Sequence, residues 1–302
     1  MIDVLIIGSG PAGYTAGIYA TRAGYNVTLV TGTQFGGQLT IASSVENYSG
    51  FVEPIEGAVL MDNMRQQAEK MGVNIVFDTI EAVDFSKRPF ICRGESTYES
   101  RSVIIATGAS ARWLGLANEE KYRGRGVSAC ATCDGFFFKN KVVCVIGGGN
   151  TAVSEASYLT NFAKKVYLIH RKNSFHAEKI VEDRALANPN IEILFNTKVV
   201  DILGDDTKVT GLQISDIDGN NERTLEMDGV FIAIGHSPAS ELFRGQIDIA
   251  DNGYIIANPD TRETSVPGVF ACGDVCNPYC RQAIVAAGQG CVAAMNLDKY
   301  LG

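Results

Sequence analysis

The side chains best placed to do chemistry lie in Cys130-Ala131-Thr132-Cys133-Asp134. A Cys-x-x-Cys pair can close into a disulfide or open to a dithiol, which makes it a two-electron switch. The same spacing also suits one half of a zinc site, or buried thiols with no role at all. A carboxyl group next to the pair suits proton delivery when burial raises its pKa. The stretch alone leaves these readings open, and the elements on either side must decide among them.

Upstream, Asp3 to Ile7 is a short apolar run that reads as a buried parallel strand. Gly8-Ser9-Gly10-Pro11-Ala12-Gly13 follows at once, and Tyr14 to Ala23 reads as a helix. Strand, G-x-G-x-x-G and helix in that order form a dinucleotide-binding fingerprint. Gly8 permits the tight turn, Gly10 lets a pyrophosphate approach the backbone, and Gly13 lets helix and strand pack closely. The next strand, Asn26 to Val30, ends at Thr31 where an acid usually binds the ribose. Gly36-Gly37-Gln38-Leu39 and Glu46-Asn47-Tyr48 are polar loops able to wrap a larger cofactor. Gly57 to Met71 reads as a helix, Val73 to Phe85 as β structure, and Ser102 to Ile105 as a strand ending in Ala106-Thr107-Gly108-Ala109-Ser110.

A second fingerprint follows the cysteine pair. Lys141 to Ile146 reads as a strand, and Gly147-Gly148-Gly149-Asn150-Thr151-Ala152 turns into a helix reaching about Ala163, with Ala152 in the third glycine's place. The strand Lys165 to Ile169 ends in His170-Arg171-Lys172, a basic cluster suited to a 2′-phosphate, so this unit favours NADP over NAD. Ile191 to Ile214 and Thr224 to Ile234 read as strands, closing in Ile234-Gly235-His236-Ser237-Pro238. That ending and the Ala-Thr-Gly stretch read as crossings between domains. The chain is therefore expected to be α/β, with two Rossmann-like three-layer ββα domains, the second inserted in the first. Residues 1–113 and 245–302 form one domain and 114–244 the other. Val269 to Asp274 reads as a strand leading to Arg281-Gln282-Ala283 and a small-residue helix, Ile284 to Leu297. Asp274 is placed to accept hydrogen bonds from a ribityl chain or to cap the helix.

A chain of 302 residues suits two domains of ordinary size, and 46% hydrophobic with 20% charged residues is a globular composition. The net charge of -8 argues against nucleic acid or an anionic membrane as main partner. The N-terminus enters a strand directly and no apolar run approaches a membrane span, so the expected location is the cytoplasm. In that reducing setting Cys92, Cys144 and Cys291 are expected to be plain thiols.

Taken together, these motifs resemble the low-molecular-weight thioredoxin reductases, within the two-dinucleotide-binding flavoprotein family. The resemblance runs nearly end to end and extends to the missing acid at Thr31. It implies a homodimer with FAD in the outer domain and NADPH in the inserted one, with thioredoxin as protein substrate. FAD would be held by Gly8, Gly10, Pro11, Ala12, Gly13, Gly37, Gln38, Leu39, Asn47 and Ala106-Thr107-Gly108, with Gly273, Asp274, Arg281, Gln282 and Ala283. NADPH would be held by Gly147, Gly149, Asn150, Thr151, Ala152, His170, Arg171, Lys172, His176, Ile234 and Gly235. Cys133 would take electrons from the flavin, Cys130 would attack the thioredoxin disulfide, and Asp134 would protonate the leaving thiolate. The resemblance also implies rotation of the inserted domain about the crossings.

Two departures stand out. Lys172 and His176 occupy positions where the family carries Arg. Lysine offers a point charge in place of a planar fork, and an ordinary histidine, with a pKa near ~6.5, is partly charged at neutral pH. NADPH binding is expected to be weaker than usual and to tighten as pH falls. Cys272, Cys276 and Cys280 match no ligand spacing, and no second Cys or His pair accompanies Cys130 and Cys133, so no metal site is expected. The alternatives are a flavoprotein of the same fold drawing electrons from ferredoxin or flavodoxin, a dithiol oxidase or hydroperoxide-system flavoprotein, and a redox-inert nucleotide-binding sensor.

Overall fold

A computed structural model describes residues 1–42 and 44–302. The chain divides into two compact units, Met1–Ser110 with Ser237–Gly302, and Ala111–His236. The sequence placed these divisions at 114 and 245, and the differences have local causes. Residues 237–244 pack with the first unit. Ala239 N–H donates to the Gly108 carbonyl at 3.0 Å, Thr107 Oγ1 donates to the Ala239 carbonyl at 2.7 Å, and Phe243 is fully buried against Phe85. Residues 111–113 go with the second unit, where Trp113 packs on its core and carries the Arg123 guanidinium 4.0 Å above its ring.

The first unit is built on a seven-stranded sheet. Strand Ile2–Ile7 is central, parallel to Val27–Val30 on one side and Thr97–Ile105 on the other. Asn74–Val76 and Val269–Ala271 extend the parallel part, while Phe90–Arg93 and Ala82–Asp84 add an antiparallel edge. The 73–85 stretch is thus two short strands. Asp78 separates them, accepting amides from Thr79, Glu95 and Ser96 and the hydroxyl of Tyr98. One sheet face buries Val4, Ile6, Leu29 and Ile104 against the helices Pro11–Arg22 and Ala283–Leu301. The small residues of these helices allow close contact: a Cβ on Gly290 would overlap the Ala12 carbonyl. The other face buries Leu5, Ile7, Val103 and Ile105 with Phe85, Phe90 and Phe243. Each such aliphatic side chain contributes roughly 1.5–3 kcal/mol by leaving water.

The second unit repeats the plan with a five-stranded parallel sheet, ordered Ile191–Leu194, Lys165–Ile169, Val142–Ile146, Gly229–Ile232, Val127–Ser128. The helices Asn150–Leu159 and Lys179–Leu186 pack on it. The long β readings of the sequence resolve into separate elements. Thr197–Gly204, Val209–Asp216 and Arg223–Glu226 form an antiparallel sheet of their own. The helix after the second fingerprint stops at Leu159, short of Ala163, because Thr160 turns its hydroxyl onto the Ser157 carbonyl at 2.7 Å.

Candidate active site

Cys130 and Cys133 are joined in a disulfide with their Cα atoms 5.3 Å apart. They bracket a one-turn helix, Ala131–Asp134, that begins just beyond strand Val127–Ser128. The amides of Cys133 and Asp134 donate to the Cys130 carbonyl at 3.3 and 3.1 Å, and the Cys130 amide donates to Ser128 Oγ at 3.0 Å. Glu155, one helix away, accepts the Ala131 amide at 3.5 Å. Cys130 is half-buried and Cys133 exposed, so the pair sits where a protein disulfide can approach. Burial pushes the Asp134 carboxyl above the ordinary carboxylate range, with Ser128 pulling the other way. The arrangement is a disulfide with an acid at its side that retains its proton more readily than an exposed aspartate.

In the first unit the expected cofactor residues converge at the carboxyl ends of Ile2–Ile7 and Thr97–Ile105. Gly8 has φ +112°, and a Cβ there would strike the Ala106 carbonyl. A Cβ on Gly13 would overlap the Gly8 carbonyl, whereas one on Gly10 would point into open space. Gly37 lies against Gly10, Gly273 against Ala12, and Asn47 Nδ2 donates to Gln282 Oε1 at 3.2 Å. Ser9 is buried and ties this turn to the next loop, donating to the Thr31 carbonyl and accepting the Gly36 amide, both at 3.0 Å. Burial raises Asp274 to about 6, with the Arg281 charge opposing the rise. The Arg281 guanidinium itself donates to the Pro278 carbonyl at 2.5 Å.

In the second unit, Gly147 has φ +155° and packs against the Ala233 carbonyl and Ala152. A Cβ on Gly148 would run into the His170 ring, and one on Gly149 would stand 3.1 Å from His176 Nε2. The His176 amide donates to the Gly148 carbonyl at 2.9 Å. Asn150 fixes the same segment from the helix side, donating to Glu178 Oε1 at 3.1 Å and accepting the Glu178 amide at 2.6 Å. His170 is buried, its Nε2 has no hydrogen-bond partner among the described residues, and burial lowers its pKa, with the neighbouring His176, Lys172 and Arg171 adding to the fall. Arg171 and Lys172 are exposed beside it. Gly235 accepts the Arg112 amide at 2.9 Å, and Ile234 is 37% exposed.

Two glycine-turned Rossmann units and a disulfide agree with the comparisons to known proteins. The family model described as pyridine nucleotide-disulphide oxidoreductase matches residues 2–290. The chain belongs to that family. It is 52% identical to a thioredoxin reductase of Rickettsia felis over 99% of this chain and 97% of the relative. A protein of Pseudomonas fluorescens named glucosaminate ammonia-lyase is 50% identical over 99% of this chain and 95% of its own. The solved structure of thioredoxin reductase from Giardia duodenalis superposes with a TM-score of 0.95 at 38% identity, covering 99% of this chain and 98% of that one.

The cofactors of such a pyridine nucleotide-disulphide oxidoreductase, FAD and NADPH, fit the residues present. The open space at Gly10, above the amide-bearing start of Pro11–Arg22, is a cradle that a Cβ would fill, as a pyrophosphate requires. In the second unit the unpartnered His170 nitrogen and the exposed Arg171 and Lys172 supply polar and cationic groups beside the glycine loop. Burial lifts Cys272 far above the ordinary thiol range and Cys276 to about 11, while Cys280 is exposed. Among the described residues no group of three His, Cys, Asp or Glu side chains is placed to hold a metal. No described helix is long and apolar enough to cross a membrane.

Ser9, Ser128, Glu155 and Glu178 complete these sites and escaped the sequence reading. Ser9 falls in a variable fingerprint position, and Glu155 and Glu178 meet their partners only through folding. The sole local signal was Ser128's place two residues before Cys130.

Proposed function

We propose that the protein is a thioredoxin-disulfide reductase that passes electrons from NADPH through FAD and the Cys130–Cys133 couple to oxidised thioredoxin. The observation that carries this reading is the Cys130–Cys133 disulfide with the proton-retaining Asp134 beside it. It distinguishes the chain's chemistry from an ammonia-lyase reaction, in which a disulfide has no place.

When bound, FAD and NADPH supply the two electrons that open the disulfide. In the dithiol form, the Cys130 thiolate attacks one sulfur of thioredoxin's disulfide. That S–S bond breaks, a mixed disulfide forms, and the expelled thiolate takes the Asp134 proton. The Cys133 thiolate then attacks Cys130 Sγ, expelling the second thioredoxin thiolate, which is protonated from solvent. The internal disulfide is restored and thioredoxin leaves as a dithiol, two electrons and two protons richer. The glycine turns at Gly8–Gly13 and Gly147–Ala152 would hold the two pyrophosphates, Asp274 would accept hydrogen bonds from the ribityl chain, and Arg171, Lys172 and His176 would meet the 2′-phosphate of NADPH.

The first unit, residues 1–110 with 237–302, acts as the FAD domain and residues 111–236 as the NADPH domain. The working form is a cytoplasmic homodimer. Support for self-association comes from the apolar residues Tyr19, Phe51, Val52 and Val59, all exposed on the first unit.

Purified protein should show a flavin spectrum and oxidise NADPH only when thioredoxin is added. Oxidation driven by oxygen alone would make it an oxidase, bleaching only by ferredoxin or flavodoxin a reductase with another donor, and ammonia release from glucosaminate a lyase.

A further inference from the structure

We propose that Gln289 is a positioning residue of the flavin site, its side-chain oxygen fixing the Gly273 amide and so holding the turn that presents Asp274 to the ribityl chain. This deepens the reading of Asp274 as the ribityl acceptor and rests on it.

Gly273 has φ +77° and begins the short turn Gly273–Val275, just beyond strand Val269–Ala271. Main-chain bonds tie the backbone on either side of Asp274. The Cys272 amide donates to the Ile105 carbonyl at 2.9 Å, the Cys276 amide to the Gly273 carbonyl at 3.2 Å, and the Ile255 amide to the Val275 carbonyl at 3.0 Å. The Gly273 amide is met by a side chain instead. Gln289 Oε1 accepts it at 2.9 Å, from 16 residues along the chain and within the helix Ala283–Leu301. Because the partner is a donor, the side-chain oxygen and not the nitrogen must face it.

The same turn of that helix is pressed onto the first glycine loop. A Cβ on Gly290 would overlap the Ala12 carbonyl, and one on Gly273 would stand 3.0 Å from Ala12 Cβ. Helix, glycine loop and Asp274 turn therefore meet at one point, and Gln289 is the polar tie among them. Gly273 is buried, so without that oxygen its amide is left unpaired. The turn then relaxes, and a bound flavin has to restore it before Asp274 can be met.

The readout is the dissociation constant of FAD, taken from flavin fluorescence released on dilution of the flavin-loaded protein. Q289M keeps the length and apolar bulk of the side chain without its oxygen, and should hold FAD roughly ten-fold more weakly. Q289E returns an oxygen to the same place and should regain most of that loss. D274A should also weaken FAD, and adding Q289M to D274A should then cost little more. Parent affinity in Q289M, or no recovery in Q289E, overturns the role of Gln289. Full additivity of Q289M and D274A does the same while leaving Asp274 as acceptor. Parent affinity in D274A instead sinks Asp274 as acceptor, and with it the path from Gln289 to the flavin. Should Q289M fail to fold, Q289A removes the same oxygen and is read the same way.

Discussion

The Ser9 hydroxyl donates to the Thr31 carbonyl at 3.0 Å while accepting the Gly36 amide at 3.0 Å, all within the buried floor of the first glycine turn. A residue inside the fingerprint thus sets the loop that follows the next strand, at the point where the usual ribose acid is replaced by Thr31. Removing that hydroxyl leaves a buried amide without an acceptor, a cost of about 1–3 kcal/mol. S9A is expected to hold FAD roughly ten-fold or more weakly, read from flavin fluorescence released on dilution. Unchanged retention would show that the loop orders itself without Ser9.

The glycines of the same turn should separate folding from binding. A Cβ on Gly13 would overlap the Gly8 carbonyl, but one on Gly10 meets nothing within the protein. G10A should therefore melt at the parent temperature and yet be purified largely free of flavin, while G13A should lose both stability and flavin. Thermal denaturation and the flavin-to-protein ratio measure the two effects. A flavin-replete G10A would place the pyrophosphate elsewhere.

Replacing Cys130 by Ser should abolish reduction of thioredoxin and leave reduction of the flavin by NADPH intact, because only the outgoing attack needs that thiolate. Stopped-flow absorbance follows the flavin step, and steady-state assay follows the other. Loss of both would place Cys130 in flavin binding.

At the second glycine loop, His176 stands against Gly149 and its amide is fixed to the Gly148 carbonyl. An arginine at this position or at Lys172 would offer a planar fork to a 2′-phosphate, so H176R and K172R should each lower the NADPH KM several-fold, read from steady-state assay. An unchanged KM in both variants sinks the idea.

Asp78 predicts how the first unit meets acid. Its carboxylate takes the Glu95 amide, the Tyr98 hydroxyl at 2.7 Å, and the Ser96 and Thr79 amides, which bring its pKa to about 2. A depressed carboxylate stabilises the fold fully above its unfolded pKa, near ~3.9, and the contribution is lost as pH falls toward the folded value. D78N should melt below the parent at neutral pH, and the gap should narrow between about pH 4 and pH 2. A gap independent of pH would mean that lost geometry, not charge, sets the cost.

Much of this was legible in the chain itself because the signals are local. Strand, glycine turn and helix follow one another at Asp3–Ala23 and again at Lys141–Ala152, so φ requirements and periodicity fix both fingerprints without distant contacts. The Cys-x-x-Cys-Asp run is equally local. Its meaning, and the inserted arrangement, followed from the order of motifs.

What the tertiary structure decided lies between residues far apart in sequence. His176 reaches Gly149 only because the two parallel strands set their connecting loops side by side. The return to the first unit at residue 237 is fixed by Phe243 burying against Phe85, a contact that no pattern near residue 240 announces. The acidity of Asp134 depends on desolvation by packed neighbours and on a hydroxyl held at the end of Val127–Ser128. Residue types and spacing determined which groups this protein possesses for chemistry. Burial and strand register, which act across sequence distance, determined which of them can hold a proton.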